Sequence, residues 1–249
     1  MKERLHHLMD VLRLNGMAKA LDAVLLKAEK EGLPTGQALH ALLLEEQRHR
    51  EETSLKNRLQ KAKIPWDWTL HSFPFDRQPG VNKTRIMDLS GLAFVQRADN
   101  LVFIGDPGVG KTGLAISLLR QAILSGYRAR FYNAQDLLDE LYASLADRTT
   151  PRLLKTLAAY DVLLIDELGY LSLKPEQVNA FFKLMGERYG KKSTLITTNL
   201  DYPDWYDLFK RKSLVDALLD RLKHYCITLR ISGPSLRIPS KDHPNGSTP

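Results

Sequence analysis

Along this chain the apolar positions follow two regimes. In residues 1–64 they recur at helical spacing: Leu5, Leu8, Met9 and Leu12, then Met17, Leu21, Val24 and Leu25. Gly32-Leu33-Pro34-Thr35 interrupts the pattern, with Gly32 as a stop and Thr35 as a candidate N-cap. A third helical segment runs from Gln37 to Lys63. Its first half carries Leu39, Leu42, Leu43 and Leu44, whereas Glu45 to Lys56 is almost wholly polar, as in a helix that is solvated or laid along another surface. This predicts a small domain of two or three helices with a thin core, one that needs a partner or a neighbouring copy to cover it.

From Asn100 the regime changes to short, wholly apolar runs separated by helical stretches. The predicted strands are Leu101–Ile104, Arg128–Tyr132, Val162–Ile165, Ser193–Thr197 and Cys226–Ile231. The predicted helices are Gly113–Leu124, Asp136–Leu145, Glu176–Arg188 and two short ones within Trp205–His224. Apolar strands alternating with helices imply an α/β domain over residues 99–238, built on a parallel sheet buried on both faces. Between the regimes, residues 65–98 hold Trp66, Trp68, Phe73 and Phe75 among Pro65, Pro74 and Pro79, which predicts an extended connector pinned by ring packing. These rings either cover the edge of the next domain, the simpler use, or line a pocket for a nucleotide base. Trp205, Tyr206 and Phe209 read as core. Residues 239–249, rich in Pro, Ser, Gly and Asn, read as a disordered tail.

Composition narrows the class. With 43% hydrophobic and 26% charged residues in 249, the chain is neither mainly disordered nor long enough in any apolar run to cross a membrane, and its charged N-terminus shows no signal peptide. The single cysteine, Cys226, excludes an internal disulfide; it is expected to be buried and inert in a cytoplasmic protein. A net charge of +7 suggests a polyanionic partner without demanding one.

The chemistry is concentrated in two places. Gly105-Asp106-Pro107-Gly108-Val109-Gly110-Lys111-Thr112 matches a P-loop, with an apolar strand before it and a helix after it. Its glycines let main-chain amides converge on phosphate oxygens, and the helix points its positive end at the same place. Lys111 supplies charge to the β- and γ-phosphates, and the Thr112 hydroxyl suits Mg²⁺. The strand Val162–Ile165 ends in Asp166-Glu167. Asp166 can hold the Mg²⁺ shell, and Glu167 can activate a water for attack on the γ-phosphate, a base that a kinase does not want. Asn199, at the tip of the following strand, can orient that water. The seven histidines show no ligand spacing, so no metal beyond Mg²⁺ is expected.

The order of these elements resembles the AAA+ ATPases and, more narrowly, the IstB family of transposition helper ATPases, relatives of the DnaC helicase loader and the DnaA initiator. The residues that carry the likeness are Leu14 to Ala18, Gly105 to Ala115, Gly126 to Phe131, Leu164 to Tyr170, Thr197 to Asn199, Ala217 to Leu222 and Gly233 to Arg237. The resemblance implies a three-layer AAA+ core, Mg²⁺-dependent ATP hydrolysis by a homo-oligomer with active sites shared between subunits, duplex DNA binding, and recruitment of a transposase. It implies that Asn199 is the sensor-1 residue, Arg221 the arginine finger entering the next subunit, and Arg237 the sensor-2 arginine. It also implies that residues 1–64 serve partner contacts and assembly. Taken alone, Arg221 reads as a surface arginine paired with Asp216 or Asp220.

Three positions depart from the family pattern. Asp106 stands where a proline is usual and could repel phosphate if it faced the nucleotide. Gly113 replaces a common histidine, and Leu236 replaces a tyrosine beside Arg237. The chain also ends soon after Arg237, so little or no C-terminal helical lid is expected. No recognition helix is visible, and DNA contacts are expected from Lys83, Arg85, Arg97, Arg148, Arg152 and Lys155 through phosphates, without sequence preference. Arg148 to Lys155 fall where initiator-type relatives carry an extra helical element facing DNA. The rivals are a DnaC-like helicase loader, a P-loop kinase of a small molecule, and a nucleotide-gated module with negligible turnover.

Overall fold

The computed structural model describes residues 2–169 and 171–237; the expected tail, 239–249, lies outside them. The chain forms two compact units, residues 1–58 and 59–249.

In the first unit α1 (Lys2–Val11), α2 (Asn15–Glu31) and α3 (Thr35–Ala62, which continues past the division) bury Met9, Met17, Leu21 and Leu42. Leu5, Leu8, Leu12, Leu39 and Leu43 stay exposed, so the core is as thin as the periodicity predicts. The Leu14 to Ala18 motif has a physical reason. A Cβ on Gly16 would lie 2.5 Å from the Glu45 carbonyl, so only glycine lets α3 cross the start of α2. There the Glu46 carboxylate caps α2, accepting the amides of Gly16 at 2.7 Å and Met17 at 3.1 Å, while Arg50 donates to its other oxygen at 2.6 Å. Burial pushes the Glu46 carboxyl up; the Arg50 bond and the two amides outweigh this and hold it below the usual range. Gly32 ends α2 in the left-handed conformation, as its residue type predicts. Thr35 is a correction: it is the first helical residue, and the preceding carbonyl of Pro34 takes the amides of Gln37 and Ala38.

In the second unit β1 (Asn100–Gly105), β2 (Ala129–Asn133), β3 (Val162–Asp166), β4 (Ser193–Thr198) and β5 (Cys226–Ile231) form one parallel sheet in the order β2-β3-β4-β1-β5. Strands β3 and β4 are buried throughout and β1 nearly so, which is why none shows a polar–apolar alternation; β4 buries Ser193, Thr194, Thr197 and Thr198 beside Leu195 and Ile196. Helix α6 (Lys111–Leu124) packs across one face. On the other face Val102, Ile104, Leu163, Ile165 and Ile196 join a core with α7 (Ala134–Ala146), α8 (Thr150–Ala158), α9 (Pro175–Arg188), α10 (Trp205–Phe209) and α11 (Lys212–His224). The result is a three-layer α/β fold whose loop-bearing strand ends share one edge. Trp205 and Phe209 are core residues, as expected.

The connector is only partly as predicted. A 3₁₀ turn at Phe75–Arg77 is followed by α4 (Lys83–Ser90) and α5 (Ala93–Gln96), where extended chain was expected. Asn82 caps α4 by accepting the Arg85 amide at 3.0 Å, and Ile86 and Leu89 are buried as α4 packs on α6. Among the described residues no helix is long and apolar enough to cross a membrane. Cys226 opens β5 half-buried where full burial was expected, and burial pushes its thiol up to about 11.

Candidate functional site

The site lies where β1, β3 and β4 end. After β1 the chain turns through residues 106–110 and starts α6 at Lys111. Gly108 and Gly110 have φ of 87° and 94°, a region where a side chain is penalised. The turn thus delivers the first amides of α6 into a cleft of about 970 Å³. Lys111 Nζ donates to the carbonyls of Gly105 at 2.7 Å and Asp106 at 2.8 Å. Burial pulls its pKa down, against Asp166, Asp106 and Glu167. The Asp106 side chain is exposed, and its charge is felt at Lys111. Val109 is off the cleft wall: its side chain is buried, and its carbonyl accepts from Gln78.

Opposite Lys111 stands the end of β3. The Asp166 carboxylate accepts the Thr112 hydroxyl at 2.8 Å and the Thr197 hydroxyl at 2.6 Å. Burial dominates and raises its pKa; the two hydroxyls and Lys111 oppose this, and Glu167 adds to it. Thr197 also accepts the Glu167 amide at 2.9 Å, fixing both acidic residues from one hydroxyl. Glu167 itself sits at φ 60°, a conformation that costs a non-glycine residue ~1–3 kcal/mol and that persists here at the cleft. Its exposed carboxylate accepts from Asn133 Nδ2 at 3.3 Å. Asn199 and Thr198 line the same cleft, and the Asn199 amide oxygen lies against Gly169, two residues beyond Glu167.

The connector rings pack on the edge of the sheet, as expected, and also line the cleft: Trp66 meets Phe131 of the edge strand β2 edge-on, and Trp66, Trp68 and Phe73 stand beside the P-loop. Trp68 lies over Gly113: a Cβ there would meet the indole at 3.2 Å, which gives the departure from histidine a steric reason. Asn133, Thr197 and Gln78 were not identified from sequence. Asn133 is also the cap of α7, accepting the Gln135 amide.

Arg237 lines the cleft, and Leu236 beside it donates its amide to the Gly108 carbonyl at 2.8 Å. Arg221 is elsewhere. Its guanidinium lies 5.5 Å from the Tyr189 ring centroid, and Tyr189 follows α9 just before β4 begins. Tyr189 packs on Tyr225, whose carbonyl accepts the amide of Asn100, the first residue of β1. Arg221 therefore sits at the edge of the sheet opposite the P-loop. Among the described residues Arg221 makes no ion pair with Asp216 or Asp220; Asp216 accepts the Tyr206 hydroxyl instead.

The basic residues named as DNA-contact candidates lie on both faces of the sheet. Lys83 and Arg85 belong to α4, on the α6 face, and Lys83 lies over the Phe75 ring. Arg97 is tied to Asp99 at 2.7 Å. Arg152 and Lys155 lie on α8, on the other face, with Arg148 just before it. There Lys155 shares a groove between α8 and α9 with Lys183, Lys191 and Lys192, three lysines that sequence spacing did not single out.

A P-loop, a β3 carboxylate pair and a five-stranded parallel sheet in this order define a nucleotide-binding protein of the AAA+ class. The chain belongs to the IstB family: residues 7–243 match the family described as IstB-like ATP binding protein. It is 36% identical to a Pseudomonas aeruginosa protein named for ATP binding in insertion sequence IS21, over 94% of this chain and 88% of that one. It is 33% identical to the corresponding protein of insertion sequence IS5376 from Geobacillus stearothermophilus, over 97% and 96%. The crystal structure of the DnaC helicase loader aligns with a TM-score of 0.59 and 28% identity, covering 69% of this chain and all of that one.

Proposed function

We propose that the protein hydrolyses ATP as an oligomer on duplex DNA and recruits a transposase to that DNA. The observation that carries the ATPase reading is the convergence of Lys111, Thr112, Asp166 and Glu167 at one strand edge, with Thr197 holding both acids in place. The donor set fits Mg²⁺: a hydroxyl and a carboxylate, both hard oxygens, already 2.8 Å apart. Bound there with the nucleotide, Mg²⁺ supplies charge neutralisation at the β- and γ-phosphates. Lys111 exchanges its two carbonyl partners for phosphate oxygens. Glu167 accepts a proton from water as that water attacks the γ-phosphorus; the bond to the β-bridging oxygen breaks, and ADP and phosphate leave. Asn199 orients the water, and Arg237 meets the terminal phosphate.

The place of Arg221 supports the oligomeric reading. At the far edge of its own sheet it cannot reach its own cleft, so as an arginine finger it serves the site of a neighbouring copy. The α8–α9 groove with Lys155, Lys183 and Lys191 is the best candidate for duplex phosphates; Lys192 beside them is paired with Asp161. Transposition is favoured over helicase loading because the insertion-sequence relatives match this chain over nearly its full length, the N-terminal helices included.

Mixing two inactive variants tests the shared site. Glu167→Gln and Arg221→Ala should each bind ATP and fail to turn it over. Together they should regain activity, because interfaces form in which one copy supplies Glu167 and the other Arg221. Brisk hydrolysis by a monomer at all concentrations, or wild-type turnover in Arg221→Ala, would defeat the reading.

A further inference from the structure

Gln78 is completely buried, and it joins segments that are far apart in sequence. Its side-chain Nε2 donates to the carbonyl of Val109 in the P-loop and to that of Pro234, each at 3.0 Å. Both amide hydrogens are thereby used. Its Oε1 has no partner among the described residues and lies against Gly233, where a Cβ would come within 2.0 Å. Two residues on, Gly80 passes so close to Ser232 that a Cβ would fall 1.6 Å from its carbonyl oxygen. The segment 232–236 is therefore fastened to the P-loop twice: directly, by the Leu236 amide on Gly108, and indirectly, through Gln78 on Val109. Arg237 is the next residue, and it lines the cleft.

An amide buried with its oxygen unpartnered is not placed for its own polar balance: a methionine would remove that oxygen, at the cost of leaving the Val109 and Pro234 carbonyls without their donor. The two donated bonds are what the site gains from it. We infer that Gln78 is a positioning residue: it sets the Arg237-bearing segment in register with the P-loop, so that Arg237 meets the terminal phosphate of the bound nucleotide. This rests on the cleft being the nucleotide site. Shifts of about 1 Å in such a group are enough to lose its contact with phosphate. The consequence falls on ATP and spares ADP, which lacks the γ-phosphate.

The test is a double-mutant cycle read as nucleotide preference. Dissociation constants for ADP and for a non-hydrolysable ATP analogue are measured by calorimetry for wild type, Gln78→Met, Arg237→Ala and the double variant. Gln78→Met should cut the preference for the ATP analogue over ADP by about tenfold, roughly 1.4 kcal/mol. Arg237→Ala should cut it as much, and the double variant no further. An unchanged preference in Gln78→Met, or losses that multiply in the double variant, would overturn the inference. Gln78→Leu repeats the measurement should the methionine variant fail to fold; if neither folds, Gln78 is a structural anchor and the inference falls. Lys111→Ala separates the two levels. If it binds both nucleotides like wild type, the reading of the cleft fails. If it loses them while Gln78→Met keeps its preference, only the role of Gln78 fails.

Discussion

Asp161 and Asp166 flank one strand, β3, and their surroundings drive them in opposite directions. At the start of the strand Asp161 pairs with Lys192 and accepts the Arg128 amide at 2.9 Å. Burial pushes it up, but these partners win and its pKa falls. At the end of the strand Asp166 has two neutral hydroxyls as its hydrogen-bond partners, burial wins, and its pKa rises. The same contrast runs across the whole sheet. At the closed edge Arg188 is buried and donates to the carbonyls of Leu157, Ala158, Tyr160 and Ser193 and to the Thr194 hydroxyl. At the open edge Glu167 holds a strained backbone and Lys111 occupies carbonyls that it can leave. One edge spends its polar groups on each other; the other keeps them available for charge that arrives with a ligand. The lesson is that polar satisfaction and reactivity have been segregated along the strand axis.

Arg221→Ala tries this division hardest, because it places a catalytic effect at the closed edge. An arginine finger contributes ~10³–10⁵ in rate, so the barrier should rise by roughly 4–7 kcal/mol. The folded state should change little, since among the described residues Arg221 makes no ion pair. Steady-state turnover beside a urea melt checks both halves. A large stability loss with intact turnover would make Arg221 another closed-edge clamp.

Arg188→Ala should do the reverse. It orphans several buried carbonyls at the C-terminal end of α8 and at the start of β4, at a cost of about 3–5 kcal/mol in stability. Burial without a bonded carboxylate holds the Arg188 pKa down, to about 9, so the position is costly even in the native protein and only its five acceptors justify it. Below the unfolding midpoint the nucleotide affinity should match wild type. A selective loss of nucleotide affinity would show that the two edges are coupled.

Gly113→His probes the open edge from the side of Trp68. The imidazole needs the space that the indole occupies, so Trp68 must swing away and the cleft wall must change. Replacing a helical glycine returns up to about 1 kcal/mol of helix propensity, which offsets the repacking cost. The expected outcome is about a tenfold change in nucleotide affinity, roughly 1.4 kcal/mol, with little change in melting temperature. Tryptophan fluorescence reports the displaced ring. Unchanged affinity with a shifted emission spectrum would remove Trp68 from the binding wall.

What was legible in the sequence follows the same divide. The P-loop and Asp166-Glu167 are contiguous, and each is announced by an apolar strand whose period needs no partner to be read. The parallel sheet was legible for that reason. Arg188 and Gln78 were not, because what defines them is burial against groups distant in the chain: Leu157 for the one, Val109 and Pro234 for the other. At sequence level Arg188 is merely a basic residue at a helix end. Helices α4 and α5 were missed because the prolines and rings of 65–80 set the reading for the whole connector, although Asn82 and the Ile86, Leu89 pair are ordinary helix signals. The placement of the basic residues was illegible for a related reason: spacing along a chain does not say that α4 and α8 lie on opposite faces of a sheet.

The smallest effect gives the sharpest sign. Asp161 has a lowered pKa in the folded state, so its contribution to stability is present above the unfolded carboxylate value of about 3.9 and is lost as pH falls through the folded value. Asp161→Asn should therefore lower stability at pH 7, by up to about 1 kcal/mol for a partly exposed pair, and the difference should vanish in acid. Asp166 has a raised pKa. Between the unfolded value and the raised one the folded state binds more protons, so stability falls as pH rises through that window, and the cost is complete above it. Asp166→Asn removes the cost and keeps an oxygen for the Thr112 and Thr197 hydroxyls; it should stabilise the nucleotide-free protein at pH 7, on the order of 1 kcal/mol. It should also abolish the Mg²⁺-dependent part of ATP binding. Melts at pH 7 and at a pH well below the unfolded carboxylate value of about 3.9 read both variants against wild type. Two substitutions of the same residue type, at the two ends of one strand, are expected to move stability in opposite directions; if both raise it, burial sets both carboxylates, and if both lower it, their partners do, and in either case the division between the edges is not electrostatic.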